Sequence, residues 1–138
     1  SDEEWSVMAN LRDERGSSPA ANDTIGSPLF PWGVEWPPPP DSGNFESVSI
    51  SGYSENVPYT AAVGTFQKGA NGLFDLAGNV SEWVGDFWTP GSEDRVARGG
   101  SFFDYERTAL LASRRMRIEG GVARGNIGFR CVLVTADR

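Results

Sequence analysis

Histidine is absent from the 138 residues of this chain, and cysteine occurs once, at Cys131. These counts exclude every Ser-His-Asp or Cys-His relay, any zinc site with a histidine ligand, and the iron site built from two histidines and a carboxylate. One cysteine cannot close an intrachain disulfide, so it indicates no compartment. Because Cys131 lies in the apolar, strand-like run 129–134, we expect a buried small hydrophobic side chain. The remaining chemistry belongs to carboxylates and arginines.

The charged residues are unevenly distributed along the chain, which carries a net charge of −7. This acidic balance argues against nucleic acid or an anionic membrane as a partner. Most arginines nevertheless lie in the last third, whereas the first two thirds are mostly acidic. Either the arginines pair with the acidic residues, or they form a locally cationic surface for a ligand. No run of about 18 apolar residues occurs, so no membrane-spanning segment is predicted.

The elements that position these side chains are predicted to be short, since the chain contains 17 glycines and 9 prolines. A capping box from Ser1 to Glu4, followed by apolar residues at helical spacing, predicts an amphipathic helix over residues 2–14. Residues 15–29 are rich in Gly, Ser, Pro and Asn, which is typical of a loop. The aromatic residues at 30–36 and the prolines at 37–40 predict a rigid, extended polyproline II loop beside packed rings.

Strands are predicted where apolar residues alternate or cluster between turn-forming residues. The clearest pattern lies at 127–134. Other strands are predicted near 48–50, 62–64, 80–84 and 96–98, while 108–115 forms either a short strand or a turn.

Short motifs occur in a fixed order along the chain: Ser1 to Trp5, Pro31 to Gly33, Gly72 to Trp83, Arg98 to Ser101 and Ile127 to Arg130. Together they resemble the C-terminal part of a domain of the formylglycine-generating-enzyme (sulfatase-modifying-factor) family, a branch of the C-type lectin fold. The resemblance implies a single, loop-rich α+β domain over residues 1–138, with few helices and a short twisted antiparallel sheet. It also implies that the N-terminal part of the family domain is missing, including a strand that pairs with the C-terminal one. We therefore expect an upstream segment or a partner chain to cover strand 127–134.

The resemblance places the chemistry of the family at residues that differ here. Its oxygen-dependent enzymes hold copper with two cysteines just after Gly-Gly-Ser, and those positions fall near Asp104 and Ala109. A carboxylate and a methyl group cannot replace the thiolates that bind Cu(I). The iron-dependent sulfoxide synthases that share the domain need histidine ligands. We therefore expect no formylglycine formation and neither copper nor iron.

Calcium is a different case, because its ligands are oxygens and include backbone carbonyls. Carried over from the family, one set of ligands is the Asp75 side chain, the Gly78 and Val80 carbonyls and the Glu82 carboxylate. The alternative is that Glu82 accepts backbone N–H bonds and Asp75 caps the turn with no metal. A second family site maps, across a shorter intervening loop, to Asn44, Phe45, Glu55 and Val57.

The resemblance also concerns the interval between the motif Arg98 to Ser101 and the motif Ile127 to Arg130. In the C-type lectin fold this interval forms a surface, and it is the interval that is mutated in proteins targeted by diversity-generating retroelements. Mixed aromatic and arginine side chains suit such a surface. Phe102 is expected in the core. For the arginines, the alternative to contacting a ligand is pairing with acidic residues of the chain. The predicted ligand contacts are Phe103, Asp104, Tyr105, Glu106, Arg107, Arg115, Arg117, Glu119 and Arg124.

Two functions from different classes follow. The first is a non-catalytic ligand-binding domain that displays a variable surface over about 103–124 to a protein or other surface ligand. The second is a sulfatase-modifying oxidoreductase, or a subunit of one, either with unrecognised chemistry or with its catalytic residues on another segment. A weaker third reading is an accessory domain of a larger signalling or membrane protein.

Overall fold

The computed structural model describes residues 1–11, 14–25, 27–54, 57–69 and 71–133. Short helices precede a four-stranded sheet, and long irregular segments connect them. Neither α-helix in the described ranges is long and apolar enough to cross a membrane. The elements are α1 (Asp2–Met8), α2 (Pro19–Ile25), a 3-10 helix (Ser47–Ser49), β1 (Ser81–Phe87), β2 (Arg95–Arg98), β3 (Met116–Ile118) and β4 (Ile127–Gly128).

The sheet has the strand order β3-β2-β1-β4. β2 pairs antiparallel with both of its neighbours. β4 lies parallel to β1, through the pairs Ser81 with Ile127 and Glu82 with Gly128. This architecture confirms the predicted loop-rich α+β class, with the difference that β4 makes the sheet mixed rather than antiparallel.

Helix α1 begins as the sequence predicts but ends six residues earlier than 14. Its capping box is formed, since the Ser1 side chain accepts the N–H of Glu4 and the Glu4 side chain bonds back to Ser1. Asn10 adopts a left-handed conformation with φ of 61°, which ends the helix. The turn directs Leu11 back into the core, where it is buried.

Helix α2 lies within the segment 15–29 that was predicted to be a loop. Local features at its N-terminus explain this helix. Ser18 Oγ accepts the Ala21 N–H at 3.3 Å, and Pro19 occupies the first helical position. Composition alone therefore gave the wrong prediction here.

Two predicted strands are turns in the structure. Residues 48–50 overlap the 3-10 helix, where the Glu46 carboxylate accepts the Ser49 N–H at 3.1 Å. Residues 62–64 turn at Gly64, which has φ of 78°. Such local conformations leave the backbone unable to join a ladder.

The strands predicted near 80–84 and 96–98 are confirmed as parts of β1 and β2. Residues 108–115 form turns and irregular backbone rather than a strand. β3 begins directly after them and had not been predicted, because three residues are too few to show an alternating pattern.

The strand predicted at 127–134 is reduced to its first two residues, and residue 134 lies outside the described part of the chain. Beyond β4 the segment leaves the sheet, and Phe129 and Leu133 are 75% and 88% exposed. Cys131 is exposed as well, so the prediction that it is buried was wrong. The apolar pattern is present, but no described element packs against it.

Two apolar clusters form the core. The first packs α1 on the sheet through Trp5, Leu76 and Val96. The second surrounds Phe30, whose ring stacks on that of Trp32 with centroids 4.6 Å apart. Packed rings therefore flank the proline run, as expected, and the Trp36–Pro37 peptide bond within it is cis.

Buried arginines join α1 to the opposite end of the chain. Arg98 pairs with Asp2 and stacks over the Trp5 ring at 4.3 Å. The Arg115 side chain is 0% exposed; it donates to Asp2 Oδ2 at 3.0 Å and to Glu14 Oε2 at 2.5 Å. Arg115 therefore belongs to the framework. Its prediction as a ligand contact was wrong, because the acidic side chains of the N-terminal segment enclose it.

The pKa values of this cluster follow from burial and pairing. Burial lowers the pKa of Arg98 to about 10, against the attraction of Asp2. Burial acts in the same direction on Arg115, but hydrogen bonds to Glu14 and Asp2 outweigh it and raise the pKa of Arg115. Burial would raise the pKa of Glu14, yet the bonds from Arg115 and Ser6 hold that pKa below its ordinary value. Glu14, Arg98 and Arg115 are therefore ionised at neutral pH.

Candidate functional site

The interval 103–124 contains both buried and exposed side chains: residues 110, 112, 113, 115 and 118 are buried, and most of the others are exposed. Phe102, just before it, is 7% exposed, which confirms that it belongs to the core. Phe103 and Tyr105 are 60% and 45% exposed, and Asp104 between them is half-buried. The remaining predicted contacts, apart from buried Arg115, are exposed: Glu106, Arg107, Arg117, Glu119 and Arg124.

A tight turn presents the two exposed rings. The Asp104 carboxylate accepts the N–H of Ser101 at 2.8 Å and its hydroxyl at 2.7 Å. The Asp104 carbonyl accepts the Glu46 N–H at 3.1 Å, which ties the turn to the neighbouring loop. The side chain of Asp104 thus holds the backbone that displays Phe103 and Tyr105.

Charge pairing accounts for most of the C-terminal arginines. Each arginine that forms an ion pair does so with an acidic side chain of this chain. Of the two alternatives from the sequence, this favours charge pairing over a free cationic surface. Besides the buried pairs of Arg98 and Arg115, the ion pairs are Arg114 with Asp23 at 2.7 Å, Arg117 with Asp94 at 2.5 Å and Arg130 with Glu82 at 2.5 Å.

An exposed tyrosine that the sequence did not single out lies beside the interval. Tyr59 is 70% exposed, and its ring meets Phe102 edge-on with centroids 6.2 Å apart. The Phe103 ring also packs against Phe102, with centroids 4.2 Å apart. The surface around Phe102 therefore combines residues from two separate segments, which spacing along the chain cannot predict.

The positions corresponding to the copper-binding cysteines line one small cavity of about 100 Å³. Asp104 and Ala109 form part of its wall, together with Ser81. The Ser81 hydroxyl is buried without a hydrogen-bond partner. Because the cavity holds a carboxylate, a methyl group and a hydroxyl where a Cu(I) site needs two thiolates, its donor set does not fit copper.

The first predicted calcium site does not fit a calcium ion in this structure. Arg130 Nε lies 2.9 Å from both Glu82 oxygens, and Trp5 Nε1 donates to Glu82 Oε2 at 2.9 Å. Arg130 also donates to the carbonyls of Phe74 and Asp75, at 3.1 and 3.3 Å. The guanidinium thus pairs with the Glu82 carboxylate, one of the four predicted ligands, and the Asp75 side chain, a second one, accepts backbone N–H groups instead. Gly78 and Val80, the other predicted ligands, lie on the adjoining turn.

The metal-free alternative for this turn differs from the structure in its partners. The Asp75 carboxylate does not cap the turn itself but accepts the N–H groups of Gly64 and Phe66 on a separate loop. Glu82, however, accepts from side chains rather than from backbone N–H groups, and its hydrogen bond raises the pKa of Arg130.

The second predicted site offers an oxygen that a cation would satisfy. Asn44 is 0% exposed; its Nδ2 donates to the Tyr59 carbonyl at 2.5 Å, while Oδ1 is buried without a partner. An unsatisfied buried acceptor costs about 1–3 kcal/mol, and calcium accepts amide and carbonyl oxygens as ligands. Of the predicted ligands, Asn44 has the unpaired oxygen that this role requires. Val57 lies on the loop that Asn44 contacts, and Glu55 is outside the described residues.

If calcium occupies the second site, chelation should lower the melting temperature. At free calcium about 100-fold above Kd, the ion would contribute about 2.7 kcal/mol. Differential scanning fluorimetry with EDTA and with calcium measures the shift. We expect Asn44→Ala to abolish the difference between the two conditions, and Asp75→Asn to retain it. The reverse pattern would place the ion at the Gly-Asn turn, and no shift in any variant would reject both sites.

Comparison with known proteins gives a consistent family. The model of the sulfatase-modifying factor enzyme 1-like domain matches residues 3–135. The formylglycine-generating enzyme of Mus musculus is 32% identical over 135 residues, which cover 79% of this chain and 36% of that enzyme. A mouse protein named inactive C-alpha-formylglycine-generating enzyme 2 is 30% identical, covering 81% of this chain and 39% of that protein. The chain thus spans less than half the length of these relatives.

Solved structures share the fold. CarF aligns with a TM-score of 0.57 and 25% identity, over 92% of this chain and 43% of that one. Treponema denticola variable protein 1 aligns with a TM-score of 0.50 and 25% identity, over 64% of this chain and 34% of that one. PvdO from Pseudomonas aeruginosa, at 23% identity and a TM-score of 0.60 over 83% of this chain and 50% of its own, agrees in fold.

Proposed function

Because the chain belongs to the sulfatase-modifying factor enzyme 1-like family, we propose that it is a non-catalytic member that binds a ligand with the surface over 103–124. In this proposal the surface is variable, of the kind that diversity-generating retroelements rewrite. The observation that carries it is that buried side chains in the middle of the interval fix its backbone, while exposed ones lie on both sides and between them. Buried positions maintain the framework, so the exposed ones can change without unfolding it.

The exposed aromatic residues support ligand binding. Phe103 and Tyr105 are large side chains displayed on a turn that Asp104 holds rigid. Aromatic anchors on a rigid backbone lose little conformational entropy on binding, which is why they dominate many interfaces. The similarity to a Treponema denticola variable protein supports the variable character of this surface.

The cavity lined by Asp104 and Ala109 supports the absence of catalysis, since no thiol lies within it. One of the similar mouse proteins carries a name that marks it as inactive, so loss of activity has a parallel among the relatives.

The alternative is an oxidoreductase subunit, and the identity to formylglycine-generating enzymes favours it. Its catalytic residues would then lie on a segment or partner outside this chain. Oxidation of a cysteine-containing peptide in the presence of copper tests this alternative, and turnover above the buffer control would support it. The double variant Asp104→Cys, Ala109→Cys serves as a control for Cu(I) binding in the same cavity.

The apolar segment after β4 supports a second part of the proposal, namely that an upstream segment or a partner chain covers it. Phe129, Val132 and Leu133 are exposed there. An open apolar edge of this kind promotes association. For the ligand itself, the net acidic charge and the pairing of the arginines support a partner other than nucleic acid.

Two displayed libraries test the variable surface without a known ligand. The first randomises exposed positions, and the second randomises an equal number of buried ones. We expect most members of the exposed library to remain folded, because surface substitutions usually change stability by about 0.5 kcal/mol or less. The exposed set is 103, 105, 106, 107, 117 and 119, and the buried set is 102, 110, 112, 113, 115 and 118.

Resistance to a protease reports folding in both libraries, and selection of the exposed library on an immobilised model protein reports binding. Equal loss of folded members from the two libraries would contradict the proposal. In the genome, a nearby template repeat that differs from codons 103–124 only at adenines would support the retroelement class specifically.

A further inference from the structure

Asn71 and Gly72 form the only Asn-Gly pair in the sequence. Asn71 is exposed, and Gly72 has φ of 75° with nothing within 4 Å of the place where a Cβ would stand. A glycine has no side chain to keep its backbone nitrogen away from the Cγ atom of the asparagine before it. Of the asparagines in this sequence, Asn71 is therefore the one whose amide is most open to attack by the next backbone nitrogen, which is the first step of deamidation.

The Asn71 amide has a structural role at the end of α1. Its Nδ2 donates to the carbonyls of Val7 and Met8, at 2.9 and 3.0 Å. Carbonyls in the last turn of a helix have no partners within the helix, so a donor from another segment stabilises that end. Asp2, in the first turn of the same helix, pairs with the buried Arg115. The loop around Asn71 thus holds the helix on which the buried ion pairs depend.

The same contacts protect the amide while α1 is in place. Gly72 N donates to the Gly69 carbonyl at 2.9 Å, which holds the attacking nitrogen, and the helix carbonyls hold Asn71 Nδ2. Both sets of hydrogen bonds must open before Gly72 N can reach Asn71 Cγ. Asn71 also lines a cavity of about 570 Å³ beside α1, so water can reach the product of that attack.

We propose that Asn71 is a site of spontaneous deamidation that the docked helix α1 suppresses. When the end of α1 moves away, Gly72 N attacks Asn71 Cγ, and the bond from Cγ to Nδ2 breaks. Ammonia leaves with the proton that Gly72 N gives up, and a cyclic succinimide remains. One water molecule then opens this ring to aspartate or isoaspartate. The net reaction converts an amide and water into a carboxylate and ammonium, without an oxidant or a reductant.

The product cannot restore the contact with α1. An ionised carboxylate has no donor, so it would face the carbonyls of Val7 and Met8 as one acceptor against two others. Deamidation therefore makes the opening of this end of the helix permanent. The reaction does not depend on ligand binding by the surface over 103–124, so failure of this inference and failure of that function are separate outcomes.

Substitutions at Val7 test whether α1 controls the reaction. Val7 is 63% exposed, and the helix propensities of alanine and glycine differ there by the equivalent of about fivefold in helix stability. We expect Asn71 to deamidate about fivefold faster in Val7→Gly than in Val7→Ala. Peptide mapping by mass spectrometry of the whole chain, incubated in mildly alkaline buffer, measures the rate. Asn22 and Asn126 are internal controls that should stay unchanged.

Ile118→Val separates the opening of α1 from unfolding of the whole domain. Ile118 is buried in β3, so this variant lowers global stability but leaves α1 intact. We expect its rate at Asn71 to equal that of the parent. Equal rates in the two Val7 variants, including no conversion in either, would overturn the inference. Acceleration by Ile118→Val to the rate of Val7→Gly would overturn it as well.

Asn71→Asp carries the product and tests its effect on stability. Asn71→Ala loses the two hydrogen bonds and should raise the unfolding constant by about two- to tenfold. Asn71→Asp should raise it further, because the carboxylate adds repulsion from the helix carbonyls. Chemical denaturation measures both constants. If the aspartate variant were as stable as the alanine variant or more so, the product would not keep α1 apart, and the inference would fail.

Discussion

Replacing Arg115 by alanine is expected to lower the free energy of unfolding by about 3–5 kcal/mol. The Arg115 side chain is 0% exposed and binds the carboxylates of Asp2 and Glu14. Without it, the buried Asp2 carboxylate keeps only Arg98 as a partner, and Glu14 loses its ion pair and keeps only the hydroxyl of Ser6. A buried carboxylate with an incomplete set of partners pays its desolvation cost without compensation. Urea unfolding followed by tryptophan fluorescence measures the loss.

Arg117→Ala is the matched control. It lies two positions away in the same interval, but its side chain is 62% exposed and pairs with Asp94 at the surface. Such pairs contribute between about 0 and 1 kcal/mol, so we expect a small change. Equal effects of the two substitutions would show that Arg115 is not the structural residue described above.

The same cluster predicts a dependence on acid. Because the pKa of Glu14 is lowered in the folded state, its stabilisation is present above the unfolded pKa and is lost as the pH falls through the folded value. Arg115→Ala removes the hydrogen bond that lowers this pKa. The variant should therefore lose less stability than the parent between neutral and acid pH.

Gly78→Ala is the second substitution with a large expected effect, a loss of about 2–5 kcal/mol of stability. Gly78 has φ of 69°, where an added Cβ costs about 1–2 kcal/mol by itself. That Cβ would also meet the carbonyl oxygen of Asn44, and the Phe45 ring at 2.7 Å, in a packed interior. Overpacking of this kind adds about 1–3 kcal/mol or more.

Gly72→Ala separates the two contributions. Its φ of 75° is similar, but an added Cβ there has nothing within 4 Å. We expect a loss of about 1–2 kcal/mol from backbone strain alone. If both variants lost the same stability in chemical denaturation, the close approach of the Gly-Asn turn to Asn44 would have no energetic role.

The family and fold could be predicted because the ordered motifs meet in space. Trp5, Glu82 and Arg130 come from three of the motifs, and the two outer residues both donate to Glu82. The pairing of these side chains requires all three residue types together, so their order along the chain identifies the framework. The first half of α1 and the strands β1 and β2 were predictable for a related reason, since capping and alternation are local.

The candidate surface was less predictable, because exposure depends on distant partners. Arg115 and Arg117 look alike in the sequence, yet the first is enclosed by residues of the N-terminal segment. The sequence did not predict that Tyr59 belongs to this surface, because its neighbour Phe102 lies far along the chain. The apolar pattern of 127–134 predicts a strand, but it contains no information on which element would pair with that strand.

The pairing of Arg115 with Asp2 has a consequence for how the chain reaches its folded state. The two residues lie 113 positions apart, and Arg98 contacts the same aspartate across 96 positions. During synthesis, α1 cannot form these contacts until nearly the whole domain has emerged from the ribosome. Contacts between such distant positions also slow folding, since a long loop must close before they can form. We therefore expect the domain to fold late and cooperatively, with no stable intermediate built from the N-terminal half alone.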